Sequence, residues 1–475
     1  MRYIQGENRN QATMLPEVVD DYIRENNPVR FIDAYIDGLD LVEMKFTFAE
    51  TKETGRKPYN PADLLKLYIY GYLNKIRTSR QLEKASHKNI ELFWLLRRLQ
   101  PDFKTIADFR KDNSTAIKAV CRDFTLLCKK MDLFGCELIA IDGSKFKAHN
   151  SNDRNFTKNK LAKLIKKIDD QIDAYLRDLD ESDENEKEVK QPSSEELKEK
   201  INWLRQHKVK YKKLQTQLDQ LKEGQISQTD PDSRMMRTRN GNDVSYNVQI
   251  VTDNKHKLIV AHTVTNETTD LHCLHKMSLQ AKEILGVEKI NAVADAGYFE
   301  RTNLKKCHDD HIQTFVPKPM RSHNKSQGLY TYQDFVYDRE TDTYQCPAGQ
   351  TLTFRGIKRK AETAEKIYST HSCYHCPQKS KCTRARSTRR IYRWEHEEVL
   401  EQLDQRIKDE PKIINDRKAL VEHPFGTIKN GMGYQHFLTC GIMNTSAEMS
   451  FTVLAYNLKR VLNIVNFKEL MARVL

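Results

Sequence analysis

The chain has 475 residues, too many for one small core, and a prior of roughly 100 to 200 residues per domain divides it into two to four units. Its 79 Lys and Arg against 66 Asp and Glu leave a net charge of +13, which favours a polyanion, and nucleic acid over a small acidic metabolite, as partner. No apolar run reaches about 18 residues and the start MRYIQGENRNQ lacks a signal peptide's apolar stretch, so no membrane span and a cytoplasmic location are expected.

The first 135 residues read as helical. In PADLLKLYIYGYLNKI a proline takes the first helical position, and apolar residues fall at 64, 65, 68, 69 and 72. Another short helix starts at Ser79, and IELFWLLRRL carries a third. Arg77, Arg80, Lys84, Lys88, Arg97, Arg98, Lys104, Arg110 and Lys111 lie between the apolar positions. The pattern predicts a helix-turn-helix type of DNA-reading unit, with a plain helical bundle of basic surface as the alternative.

At Cys136 the pattern changes. CELIAIDGSKFKAHN is a strand that delivers Asp142, VSYNVQIVTD and LIVAHTVTN are further strands, a helix spans about 270 to 285, and INAVADAGYF delivers Asp295. This outlines a mixed α/β core. An insertion at 156–225 interrupts it: Leu161, Leu164, Ile168, Ile172, Tyr175 and Leu179, then Leu197, Ile201, Leu204, Tyr211, Leu214, Leu218 and Leu221, mark two amphipathic helices. The acidic linker DLDESDENEKEVKQPSS joins them, and Ser193 with Glu196 has the spacing of a capping box. An antiparallel helical hairpin that packs or dimerises is expected.

A second insertion, 325–392, combines short β-like runs with four of the ten cysteines, in the spacing C-x26-C-x2-C-x5-C. Cys346, Cys373, Cys376 and Cys382 suit a structural Zn²⁺, with His371 or His375 as a substitute ligand and reduced, unliganded thiols as the alternative. The other six cysteines are dispersed as buried thiols usually are. RARSTRRIYR follows with Arg384, Arg386, Arg389, Arg390 and Arg393, a candidate phosphate-binding strip or else a solvated face. The chain beyond reads as helical, and MSFTVLAYNLKRVLNIV is apolar enough to pack on the core.

Within LVEHPFGTIKN, Glu422 and Lys429 stand seven residues apart, close to two helical turns and too far for the usual ion pair. Pro424 lacks the N–H that would bond back to Leu420, so a kink or restart is expected there. Asp142 and Asp295 at strand ends and Glu422 on a later helix supply hard oxygen ligands, which suit Mg²⁺ or Mn²⁺ better than zinc. Two such ions support in-line displacement at phosphorus.

At these residues the sequence resembles an insertion-sequence transposase of the DDE type. The matching stretches are YNPADLLKLYIYGYLNKIRTSRQLEKA, TIADFRKDN, IAIDGSKFKA, TDPDSRMM with YNVQIVTD, VTNETTD, AVADAGYF, and VEHPFGTIKNGMGYQHFLTCG with AYNLKR. They occur in the family's order over nearly the whole chain. The resemblance implies a helical N-terminal DNA-binding domain (1–135) and an RNase H-like catalytic domain (136–475) with the two insertions. It makes Asp142, Asp295 and Glu422 the catalytic, metal-holding acids and Lys429 a DNA contact. Arg417 or Lys418 supplies the base that related transposases place before the glutamate, while Ile414 and Asn415 occupy the usual tyrosine places. Arg77, Arg80, Arg389 and Arg390 are further candidate DNA contacts, and Asp270 is either a site residue or a helix cap.

The implied reaction is metal-dependent cleavage at the terminal inverted repeats of a mobile element, then attack of the freed 3′-hydroxyl on target DNA. The implied partners are double-stranded DNA and a second copy of the chain, a homodimer on DNA, in a bacterial cytoplasm at the nucleoid. The rivals are a domesticated DNA-binding protein that does not cleave, and a metal-dependent nuclease without strand transfer.

Overall fold

The computed structural model describes residues 18–50, 57–184, 194–221, 224–238, 241–319, 326–360 and 363–474. It divides into two compact units: residues 1–134, 143–268 and 422–475 form the first, and 135–142 with 269–421 form the second. The break near residue 135 is where the N-terminal domain was expected to end. The N-terminal helices, however, share their unit with two later segments.

In the first unit, side-chain caps begin the N-terminal helices. Asn60 caps Pro61–Leu73, Thr78 caps Ser79–Ser86, Asn89 caps Ile90–Leu95 and Asp102 caps Phe103–Asp112, each accepting a first-turn N–H. Pro61–Leu73 is buried on every face because the Ile442–Ile464 helix also packs on it. Tyr68 and Tyr72 meet Phe451 at 5.0 and 5.2 Å. The far end of Ile442–Ile464 is tied to a strand, since the Asn457 amide receives the Ile259 N–H (2.9 Å) and donates to the Ile259 carbonyl (2.8 Å). Flanked by helices and strand, Thr445–Leu458 is almost wholly buried, and the amphipathic pattern of the sequence underestimates that. Its N-terminus is capped from a distance: Gly441 N–H donates to Asp230 (3.0 Å) and Ile442 N–H to Asp232 (2.9 Å). That is the structural work of the TDPDSRMM stretch.

The helical insertion also lies in this unit. Lys158–Glu184 and Ser194–Gln220 pair antiparallel, with Leu161 beside Leu218 at one level and Ile168 and Ile172 beside Ile201 and Leu204 at another. The short antiparallel strands Asn155–Thr157 and Gln225–Ser227 close its base. The expected capping box lies outside the described residues, because Ser193 does.

One strand, β1 (Leu138–Lys147), runs through both units. In the first unit, β2 (Arg234–Thr238) and β4 (Ile259–Thr265) both pair antiparallel with the 13-residue β3 (Gly241–Asp253), one after the other along its length. In the second, β5 (Ile290–Val293) pairs in parallel with β1 and with β6 (Ile312–Phe315). The order β2-β3-β1-β5-β6, with β4 also on β3, and helices Leu274–Leu285 and Arg301–Asp309 as the crossovers, makes a six-stranded mixed sheet, the mixed α/β core that the sequence outlines.

The cysteine-bearing insertion of the second unit is an antiparallel meander. Strands β7 (Val336–Asp338), β8 (Thr343–Gln345), β9 (Thr351–Lys360), β10 (Thr363–Ser369) and β11 (Ile391–Trp394) lie in the order β11-β10-β9-β8-β7. Phe335, Tyr344, Leu352, Tyr368 and Ile391 form its core. Its last strand runs to Trp394, two residues past the expected limit. No helix among the described residues is long and apolar enough to cross a membrane.

Candidate active site

In the second unit β1 and β5 are in register through Ala140↔Val293. Asp142 and Asp295 each follow two residues beyond that pair, at equal depth. Side chains alternate along a strand, so residues two apart share a face. Ala140 and Val293 are fully buried in a cluster with Phe315, Leu420 and Val421, and the two acids therefore leave their strands on the side covered by the Pro411–Gly426 helix. Neighbouring strands are about 4.8 Å apart, so the two residues leave adjacent strands at the same level.

Two details hold these acids. Asp295 Oδ1 accepts the Gly297 N–H at 2.8 Å, and a Cβ at residue 297 would stand 2.9 Å from that oxygen. The glycine of AVADAGYF thus makes room for the carboxylate two residues before it. Asp142 Oδ1 lies 3.8 Å from an Arg417 guanidinium nitrogen. Arg417 is therefore an ion-pair partner of the first acid, whereas Lys418 points to solvent.

Sequence reasoning passed over Tyr298. It is 1% exposed, and burial first, then the charges of Asp270, Asp142 and Asp295, hold its hydroxyl well above the usual tyrosine range. Its phenol is thus held neutral by burial, with the negative charges of Asp270, Asp142 and Asp295 acting in the same direction. The tyrosine of AVADAGYF was the available signal, masked by its ordinary look as a core aromatic.

In the first unit, Glu422 is exposed. The helix does not restart at Pro424: it continues to Gly426 and widens into a π turn over Thr427–Gly431. Lys429 is turned inward. Its Nζ donates to Ser144 Oγ (2.6 Å) and the Lys145 carbonyl (2.7 Å) and sits 4.4 Å from the Phe146 ring centre. In this DNA-free structure its ammonium is held by neutral groups of the strand segment that follows Asp142. Beyond the π turn, Lys147 and His436 form a parallel bridge with bonds of 3.2 and 2.9 Å.

The candidate DNA contacts separate by burial. Arg80, Arg390 and Lys418 are exposed. Arg77 is 9% exposed, lies 3.4 Å from Glu448 and stacks 4.4 Å from the Tyr434 ring. Arg110 is equally buried. Arg77 is thus a core cation with a buried counter-ion, not a surface one. In the 384–393 strip Arg384, Arg386 and Arg390 are exposed, whereas Arg393 pairs with Glu401 at 2.6 Å and Arg389 lies over the Phe335 ring, which withdraws Arg389 from the expected phosphate contacts.

The four grouped cysteines line one small cavity, and burial, opposed by Arg389, pushes the Cys382 thiol up. His371 and His375 are exposed. Among the described residues no group of three or more His, Cys, Asp or Glu is closed to metal-ligating geometry. The all-oxygen chemistry of Asp142, Asp295 and Glu422 suits a hard divalent ion.

Residues 17–112 match the family model described as transposase domain (DUF772), and residues 345–462 match the one described as transposase DDE domain. Among solved structures, a piggyBac transposase synaptic complex with hairpin DNA is 10% identical over 94% of this chain and 79% of that one, with a TM-score of 0.31. That likeness is too weak to carry an argument. No curated protein matches. The chain thus carries, in this order, two regions similar to transposase domains, the second of the DDE type. The second match points to the DDE-type transposases, a family that generally uses a divalent metal.

Proposed function

We propose that the chain binds the terminal inverted repeats of an insertion sequence, cleaves there, and joins the freed 3′-hydroxyl to target DNA. Asp142, Asp295 and Glu422 are the catalytic acids and the ligands of Mg²⁺ or Mn²⁺. The observation that carries this reading is the register: Asp142 and Asp295 follow the buried pair Ala140 and Val293 at equal depth, and Glu422 follows Val421, a member of the same buried cluster. The bound ions would supply charge neutralisation at the scissile phosphate and an activated attacking oxygen.

The chain's own residues prepare that chemistry. The Gly297 N–H orients one Asp295 oxygen and leaves the other to ligate. Arg417 balances Asp142 while no cation is bound. Tyr298, held neutral, can donate a hydrogen bond without adding charge. Arg80, Arg384, Arg386, Arg390 and Lys418, exposed in the structure, are the proposed phosphate contacts, and pairing of two ends favours a homodimer on DNA.

The test is a labelled terminal-repeat duplex incubated with the protein and Mg²⁺ or Mn²⁺. Cleaved ends joined to target DNA support the proposal. Cleavage without joining favours the nuclease, and specific binding without cleavage favours a domesticated DNA-binding protein.

A further inference from the structure

We propose that Cys346, Cys373, Cys376 and Cys382 bind one Zn²⁺ as four thiolates, with Arg389 as the outer donor that stabilises their charge. The four residues come from three separate segments: the turn after β8, the 3₁₀ turn His371–His375 with the residue following it, and the short helix Lys379–Cys382. All four wall a single cavity of about 30 Å³ together with Leu352 and Arg389. That volume has room for a single ion.

The turn at Cys346 is arranged around its sulfur. Gly349 N–H donates to the Cys346 carbonyl (2.8 Å), Gly349 takes a φ of +73°, and the Gln350 N–H then donates to Cys346 Sγ (3.3 Å). Sulfur is a weak acceptor as a thiol and a much better one as a thiolate. Arg389 lines the same cavity, with its guanidinium 5.6 Å from the Phe335 ring centre and one terminal nitrogen donating to the Tyr330 carbonyl (3.5 Å), while its Nε is buried with no acceptor among the described residues. A buried donor of positive charge lining the same cavity as the sulfurs is what an anionic thiolate cluster requires. The exposure of His371 and His375 leaves the ligand set all-cysteine.

Binding draws the four side chains inward from the open arrangement, and each ligating thiol gives its proton to water as the Zn–S bond forms. The proposal is independent of the DNA chemistry proposed above.

The full chain, purified without chelator, is expected to carry one zinc by elemental mass spectrometry, with release on titration of its thiols by an organomercurial. Co²⁺ in its place should give sulfur-to-cobalt charge-transfer and tetrahedral d–d bands. Cys373→Ser/Cys376→Ser should lose the metal. In case that variant fails to fold, Arg389→Ala should lower zinc affinity about 10- to 100-fold, while Arg390→Ala leaves it unchanged. A folded wild-type chain with no zinc and no cobalt–thiolate bands, or one whose four cysteines form disulfides by mass, overturns the proposal. Unchanged zinc affinity in Arg389→Ala removes the arginine's part in it.

Discussion

Glu448 sits at the centre of the first unit, and removing its charge should loosen the segment that meets β1. The side chain is 1% exposed. Its carboxylate accepts the N–H of Leu438 (3.0 Å), the N–H of Thr439 (3.2 Å) and the hydroxyl of Thr439 (2.8 Å), and faces the buried Arg77 at 3.4 Å. Breaking a buried ion pair by removing one partner costs about 3 to 5 kcal/mol, because the other charge stays buried without compensation. Glu448→Gln keeps the shape and one accepting oxygen, so the lower end, about 3 kcal/mol, is expected; Glu448→Ala should cost about 5 kcal/mol. The assay is urea unfolding of wild type, Glu448→Gln, Arg77→Met and the double variant. The double variant should lose less than the sum of the two by about 1 to 3 kcal/mol, since the second change removes the charge that the first left unpaired. A loss below about 1 kcal/mol for Glu448→Gln, or full additivity, would refute the reasoning.

Two further predictions follow from the same geometry. Lys429→Met should abolish cleavage while the slope of log K against log salt stays at the wild-type value, whereas Arg390→Ala should lower that slope by about one; a lowered slope in Lys429→Met would return this lysine to the DNA surface. His262 bonds through Nε2 to Ser450 (2.9 Å), and burial, with Lys118 nearby, depresses its pKa to about 4. The unfolded chain therefore binds the extra proton between pH 6.5 and about 4, and stability present above the upper value falls as pH drops through that window, by about 3 kcal/mol. Stability measured across the window should lose that part of its pH dependence in His262→Gln, and an unchanged profile would exclude His262 as its source.

The sheet and hairpin were legible because their signals are local. An apolar run ending in Asp-Gly needs only its own residues to be read as a strand, and the heptad-like steps from Leu161 and Leu197 place two helices and their shared face. What escaped depends on partners far away in sequence. Arg77 has the look of a surface cation until Glu448, hundreds of residues later, is brought to it. Lys429 reads as a DNA contact until its helix passes through Pro424 and turns it onto Ser144. Tyr298 looks like an ordinary core aromatic until the charges of Asp270, Asp142 and Asp295 are brought to bear on its buried hydroxyl. The buried Asp230 and the half-buried Asp232 resemble a turn motif in sequence and become the cap of a helix that starts more than two hundred residues on.

The central claim, that Glu422 acts with Asp142 and Asp295, is tested most directly by comparing wild type with Glu422→Gln on the labelled terminal-repeat duplex in Mg²⁺. Glu422 is exposed, so the change should leave folding and DNA affinity intact while cleavage and joining fall by several orders of magnitude. Equal cleavage by both proteins would make Glu422 a surface acid and contradict the proposed site.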